Sequence, residues 1–214
     1  CYTNSEAIKY PDELTTDECK KVLDDLAAFN VPAVLFSGGE PLVRQNLAEL
    51  VRILAGNPRV RDLAMTTNGV LLAESALRLR EAGLHRLTVS LDTLRPARFR
   101  ILTRTDALDK VFAGLDAAAD AGFASLKIDT VVLRDCNDDE LLDLLAAGRR
   151  WGAEVRFIEY MDVGGATLWT RQSVVSRREI LERIAERLGP AQPLVEHTSA
   201  PAERFRLSDG TVFG

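Results

Sequence analysis

The sequence predicts an α/β protein with a parallel sheet, on three observations. Short apolar runs rich in β-branched residues alternate with helical apolar patterns at intervals of roughly 25 to 40 residues, the spacing of βαβ units. The residues that leave the apolar runs at their carboxyl ends are polar or glycine-rich: SGGEP at 37–41, TTNG at 66–69, SLD at 90–92 and MDVGG at 161–165. The opposite ends read as plain helix-to-strand turns. One rim of the sheet therefore carries the site, which is where open α/β sheets and α/β barrels both place their ligands.

Thr15 followed by Glu18 reads as a capping box. Cys19, Val22, Leu23, Leu26 and Phe29 continue one helical face to about Asn30, where Val31-Pro32 stops the helix. On that face Cys19 is expected as a small buried hydrophobe. Ala33–Phe36 is a strand, and a helix is expected from about Val43 to Ala55. Strand 62–66, a helix from Leu71 to Ala82 ended by Gly83, and strand 86–91 repeat the pattern. Leu108, Val111, Leu115 and Ala118 mark the next helix, closed by Gly122 before strand 126–132. Asn137 is expected to cap a helix through Trp151, and the acids Asp138, Asp139 and Glu140 to be favoured there by the helix dipole. Strand 154–160, a helix over 175–188 and a hairpin around Ser208-Asp209-Gly210 complete the chain. Nothing in composition divides residues 1–170, so these form the expected core domain, with 171–214 as a C-terminal extension.

With 214 residues, 46% of them apolar and 28% charged, the chain has the profile of a globular protein with one large core. A net charge of −5 offers no general attraction for nucleic acid or an anionic membrane, and leaves room for a local basic pocket that takes a small anion. No apolar run approaches a bilayer span, and residues 1–18 lack the basic and apolar regions of a secretory signal, so a cytoplasmic location is expected. Cys1, Cys19 and Cys136 match no disulfide or zinc spacing; Cys136 reads as incidental in its loop. His85 and His197 have no partner at metal-ligand spacing and read as structural or surface residues. Phosphate-loop, dinucleotide-binding, HExxH and GxSxG motifs are all absent. The glycine pair in SGGEP removes two Cβ atoms beside the strand exit, which suits close approach of a ligand and suits a tight turn equally well.

Taken in order, Cys1-Tyr2, SGGEP, TTNG, VSLD at 89–92, LKIDTVV at 126–132 and RFIEYMDVGG at 156–165 resemble the radical S-adenosylmethionine (SAM) superfamily. From about Leu47 to Gly214 the chain is similar to the GTP 3′,8-cyclase family of molybdenum cofactor biosynthesis, with RFIEYMDVGG and RLSDGTVFG as its most specific blocks. The resemblance implies a partial (β/α)6 TIM-like barrel that lacks its N-terminal strand and carries a short C-terminal appendage. It also implies a [4Fe-4S] cluster and SAM as cofactors, with Cys1 as the third cysteine of a CxxxCxxC cluster motif. Gly38, Gly39 and Pro41 of the loop would lie by the methionyl end of SAM, with Glu40 stabilising either the loop or the cation. Thr66, Asn68 and Ser90 match positions that help hold SAM, and Met161 one near its adenine. Lys127 and Arg156 match contacts to the substrate phosphates, for which guanidinium and ammonium groups are suited. The implied chemistry is reductive cleavage of SAM to a 5′-deoxyadenosyl radical, hydrogen removal from ribose C3′ of GTP, and attack on guanine C8, with an electron donor such as flavodoxin or ferredoxin. No catalytic side chain is assigned.

Three departures qualify that expectation. Two of the three cluster cysteines and the cyclase's C-terminal cysteine motif are not in the sequence, so an excised core is expected, unable by itself to assemble either cluster. Ala33 and Leu35 stand where the cyclase has basic residues that help hold triphosphate. The first 45 or so residues instead resemble radical SAM enzymes of haem and haem d1 biosynthesis, which act on a tetrapyrrole. That alternative stays open, as does a catalytically dead fragment whose sheet persists as a binding module.

Overall fold

The computed structural model describes residues 13–123, 125–162, 169–195 and 202–214. In chain order the elements are α1 (Thr16–Ala28), β1 (Ala33–Phe36), α2 (Leu47–Ala55), β2 (Asp62–Thr67), α3 (Ala76–Glu81), β3 (Arg86–Ser90), α4 (Pro96–Thr103), α5 (Leu108–Asp120), β4 (Ser125–Val132), α6 (Leu141–Arg150), β5 (Glu154–Glu159), α7 (Arg177–Leu188), β6 (Gln192–Leu194), β7 (Arg204–Arg206) and β8 (Val212–Phe213). Two compact units are formed, one from the chain up to Val89 with Asp109–Leu126, the other from Ser90–Leu108 with Lys127–Gly214.

In the first unit β1, β2 and β3 run parallel, with Val34 paired to Leu63 and Met65 to Leu87. Leu63, Ala64 and Met65 are consecutively buried, as expected of a parallel strand covered on both faces. The Thr15 capping box forms as predicted, with Glu18 N–H donating to Thr15 Oγ1 at 3.3 Å and Thr15 N–H to Glu18 Oε2 at 2.8 Å. The burial expected for α1 does not follow. Ala27 is its one buried residue and Phe29 is 80% exposed: the helix lies against α2, which leaves most of the stripe uncovered. Cys19 is accordingly part-exposed and has a polar neighbour: the Arg44 guanidinium lies 3.5 Å from its Sγ and donates to Leu14 C=O at 2.9 Å. Helix α2 begins later than predicted, since a 3-10 turn occupies Pro41–Val43 and Asn46 takes a left-handed backbone. His85 is structural as expected, its Nδ1 accepting from Leu63 N–H at 3.0 Å.

In the second unit β4 and β5 pair in parallel, from Lys127 opposite Glu154 to Val132 opposite Glu159. The hairpin β7–β8 forms where expected and extends this sheet, β8 joining β5 through Val155 and Phe213 and β6 pairing with β7. Its anchor is aromatic: Phe213 stacks on Phe205 at 5.6 Å and meets Phe157 edge-on at 6.3 Å. Helix α4 gave little sequence signal, because Phe99 is its one buried residue.

Two expectations for the loop before α6 need correction. Asn137 does not cap the helix, whose N-cap is Glu140; it is fully buried and fastens the loop instead. Its Oδ1 accepts from Leu133 N–H at 2.7 Å while Nδ2 donates to Asp92 and Val131 C=O at 2.6 and 2.8 Å. Nor does the helix dipole account for the acidic run. Glu140 is buried and accepts from Thr93 Oγ1, Leu94 N–H and Arg98 Nη1 at 2.7, 2.8 and 2.6 Å, while Asp138 accepts from Arg183 Nη1 at 2.7 Å. These bonds tie the loop to α4 and α7. Among the described residues no helix is long and apolar enough to cross a membrane.

Candidate cofactor and substrate site

In the first unit the SGGEP loop leaves β1 and is held against the exit of β2 by one carboxylate. Glu40 Oε1 accepts from Thr67 Oγ1 at 2.6 Å and Leu42 N–H at 3.0 Å, and Oε2 accepts from Asn68 N–H at 2.7 Å. Of the two roles expected for Glu40, the structure supplies the loop-stabilising one. Gly38 has φ +120°, a conformation side chains rarely adopt, and no atom lies within 4 Å of where its Cβ would be. Both glycines are exposed, so the loop presents bare backbone beside the β2 exit. There Asn68 is exposed, its Oδ1 accepting from Val70 N–H at 3.0 Å, while Thr66 is half-buried. Thr67, which sequence reasoning passed over, is buried and also accepts from Gly69 N–H at 3.1 Å. Behind it the packing is close: a Cβ on Gly69 would fall 2.9 Å from Val89 Cγ1, and one on Gly114 would fall 2.5 Å from Gly69 C=O.

In the second unit the sheet register assembles an ionic face. A Cβ on Gly148 of α6 would meet Val155 Cγ2 at 2.5 Å, so Val155 and its partner Ile128 face the helix. Alternation then turns Lys127 and Asp129 of β4, with Glu154 and Arg156 of β5, to the opposite face. All four are half-buried. Arg156 folds back on its own strand, Nε and Nη2 each lying 3.0 Å from Glu154 Oε1, and Arg204 Nε donates to Glu154 Oε2 at 2.9 Å. Asp129, directly opposite Arg156, keeps Oδ1 buried with no hydrogen-bond partner. Burial raises the pKa of Asp129, against the opposing pull of Arg156 and Lys127. Asp92 of the SLD exit is likewise pushed up by burial, although its Oδ1 accepts from Val131 N–H at 2.8 Å. Ser90 ends β3 exposed, and Met161, just past β5, is 58% exposed.

The structure thus brings Glu40 and Asn68 together in the first unit, and Lys127 and Arg156 together in the second. Cys1 and His197 lie outside the described residues. Among those described, no group of three His, Cys, Asp or Glu residues stands close enough to hold a metal. Within the first unit, the exposed backbone at Gly38 and Gly39 and the small polar side chains of Thr66 and Asn68 are groups of the kind that fit the amino acid end of SAM. Asp129, Glu154 and Thr67 are the residues missed. Alternation of Lys127 with Asp129, and of Glu154 with Arg156, was the signal that could have found four ionic residues on one face.

A strand–helix repeat with a glycine-rich first exit and polar later exits is common to many α/β proteins, and the family match decides among them. The Radical SAM superfamily model matches residues 1–147, and the chain belongs to that superfamily. Its superfamily cofactors are a [4Fe-4S] cluster and SAM. Among curated proteins it is 46% identical over 207 residues to GTP 3′,8-cyclase 3 of Mycobacterium bovis, covering 95% of this chain and 55% of that protein. It is 48% identical over 207 residues to GTP 3′,8-cyclase 1 of Mycobacterium tuberculosis, covering 95% and 58%. The chain therefore spans little more than half the length of the curated relatives it matches. Among solved structures it resembles Streptococcus suis SuiB bound to S-adenosylmethionine, with TM-score 0.63 and 15% identity over 84% of this chain and 42% of that one. At that identity the likeness is one of fold, and it agrees with the predicted α/β architecture with a parallel sheet.

Proposed function

We propose that the chain is the core of a GTP 3′,8-cyclase of molybdenum cofactor biosynthesis, with residues 1–170 as its SAM-binding part and 171–214 as the beginning of its substrate-side extension. The observation that carries this reading is the 46–48% identity to two cyclases across 95% of the chain. A match of that extent takes in most of the first 45 residues, and so weighs against the tetrapyrrole alternative. When bound, the cluster and SAM supply the radical that opens the reaction. The protein's own groups bind and orient. Gly38 and Gly39 offer backbone to the methionyl end of SAM, and Glu40 fixes the shape of that loop. Lys127 and Arg156 take the triphosphate of GTP, Arg156 sharing its guanidinium with Glu154. Cys1 is a cluster ligand. The reading includes an electron donor such as flavodoxin or ferredoxin as partner and a cytoplasmic location.

The test is anaerobic. Full-length protein reconstituted with iron and sulfide is mixed with SAM, reductant and either GTP or coproporphyrinogen, and 5′-deoxyadenosine is quantified. Formation that requires GTP is expected; formation that requires the porphyrinogen instead overturns the cyclase reading. Replacing Arg156 by Ala is expected to weaken GTP binding about tenfold or more, the worth of one charge-assisted hydrogen bond. Unchanged GTP affinity in a titration would remove Arg156 from the phosphate site.

A further inference from the structure

We infer that Asp129 is a substrate-binding residue whose free carboxylate oxygen accepts a hydrogen bond from a ribose hydroxyl of the nucleotide held by Lys127 and Arg156. The inference rests on the cyclase reading and adds to it the group that reads the sugar.

Asp129 Oδ1 is buried without a partner, one of two such side-chain atoms among the described residues. Buried polar groups are nearly always hydrogen-bonded, so an orphan of this kind needs an explanation. A cation is close at hand, since Arg156 is the cross-strand partner of Asp129, and yet the Arg156 guanidinium is turned onto Glu154. The carboxylate is thus left beside a cation without being consumed by it. Its face of the sheet is the one turned away from α6, so the helix layer does not supply the missing donor.

What would complete the face is a ligand that carries an anion next to a hydrogen-bond donor. Arg156 stands across from Asp129 on the adjacent strand, about 5 Å away, and Lys127 lies two residues along Asp129's own strand, about 7 Å away, so anion and donor must be close neighbours in the ligand. A nucleotide places its ribose hydroxyls about that far from its 5′-phosphate, whereas the guanine N–H groups lie at the far end of the molecule. Carboxylate-to-ribose hydrogen bonding is a common device in nucleotide sites. SAM also carries a ribose, and the shared chemistry is the sugar hydroxyl; the two cations favour the phosphorylated ligand.

The experiment is equilibrium binding of GTP, 2′,3′-dideoxy-GTP and SAM to full-length protein, unsubstituted and as Asp129→Ala and Asp129→Asn. Asp129→Ala is expected to weaken GTP about tenfold, whereas Asp129→Asn, which keeps an acceptor oxygen, weakens it about threefold or less. Dideoxy-GTP should bind the unsubstituted protein about tenfold more weakly than GTP and lose nothing further in the Ala variant. Equal weakening of GTP and its dideoxy analogue, or no weakening of either, overturns the assignment while leaving the cyclase reading intact. A loss confined to SAM overturns it in favour of the cofactor's sugar. Failure of the unsubstituted protein to bind GTP overturns the cyclase reading itself, and the inference with it.

Discussion

Glu40, in the loop that leaves β1 of the first unit, and Asp129, within β4 of the second, are both half-buried carboxylates, and their surroundings are opposite. Glu40 accepts three hydrogen bonds from within the protein, joining the glycine loop to the exit of β2. Asp129 leaves one buried oxygen without a partner, although Arg156 stands across from it. A carboxylate whose acceptors are all used inside the fold sets the shape of a site. One that keeps an acceptor in reserve is available to what binds there. The difference assigns Glu40 to scaffold and Asp129 to recognition, and it can be tested from the scaffold side first.

The largest effect is expected for Glu40→Ala. It strips partners from Thr67 Oγ1, which is buried, and from the Leu42 and Asn68 amides, so a loss of about 2–4 kcal/mol should appear in urea unfolding. A loss below about 0.5 kcal/mol, the scale of an ordinary surface change, would end the distinction between the two carboxylates. Gly69→Ala comes next at about 1–3 kcal/mol, because its Cβ would crowd Val89 and Val111 from a backbone at φ +79°. Gly38→Ala meets no neighbour and is expected to lose about 1 kcal/mol from backbone strain at φ +120°. Its larger consequence should be weaker SAM binding, measured by titration. A stability loss at Gly38 that matched Gly69 would show that the exposed loop is packed more like scaffold than like a binding surface.

How much of this was legible beforehand depended on the range of the signal. Strands, most helices and the glycine exits were readable because period-2 and period-3.6 patterns and capping boxes are local, as at Thr15 and Glu18. Helix α4 was invisible, since a helix with Phe99 as its single buried residue carries almost no periodic pattern. Asn137 and Glu140 were misread for the opposite reason. Both look like helix-start residues locally, and the partners that set them apart, Asp92 for Asn137 and Thr93 and Arg98 for Glu140, are more than 40 residues away in sequence. The apolar stripe of α1 shows the limit of periodicity: the pattern gives a face, and only the neighbours decide whether that face is covered. For the site, Lys127 and Arg156 could be named one by one, but their placement around Asp129 required the register of β4 against β5.

The smallest effect tests the comparison from the recognition side, without ligand. Burial raises the pKa of Asp129 in the folded protein. A carboxyl with a raised folded-state pKa favours the fold fully below its unfolded value, and that contribution is lost as pH rises from the ordinary aspartate range, near 3.8, through the folded value. Asp129→Asn removes that dependence. The variant should therefore match the parent at the acid end and exceed it toward neutral pH, by at most about 1 kcal/mol, in unfolding midpoints measured from acid to neutral pH. Sites that hold an unpaired group for a ligand give up stability in this way. A variant less stable than the parent at neutral pH would mean that the Asp129 carboxylate is holding Lys127 and Arg156 in place, as Glu40 holds its loop, and the contrast between the two carboxylates would be lost.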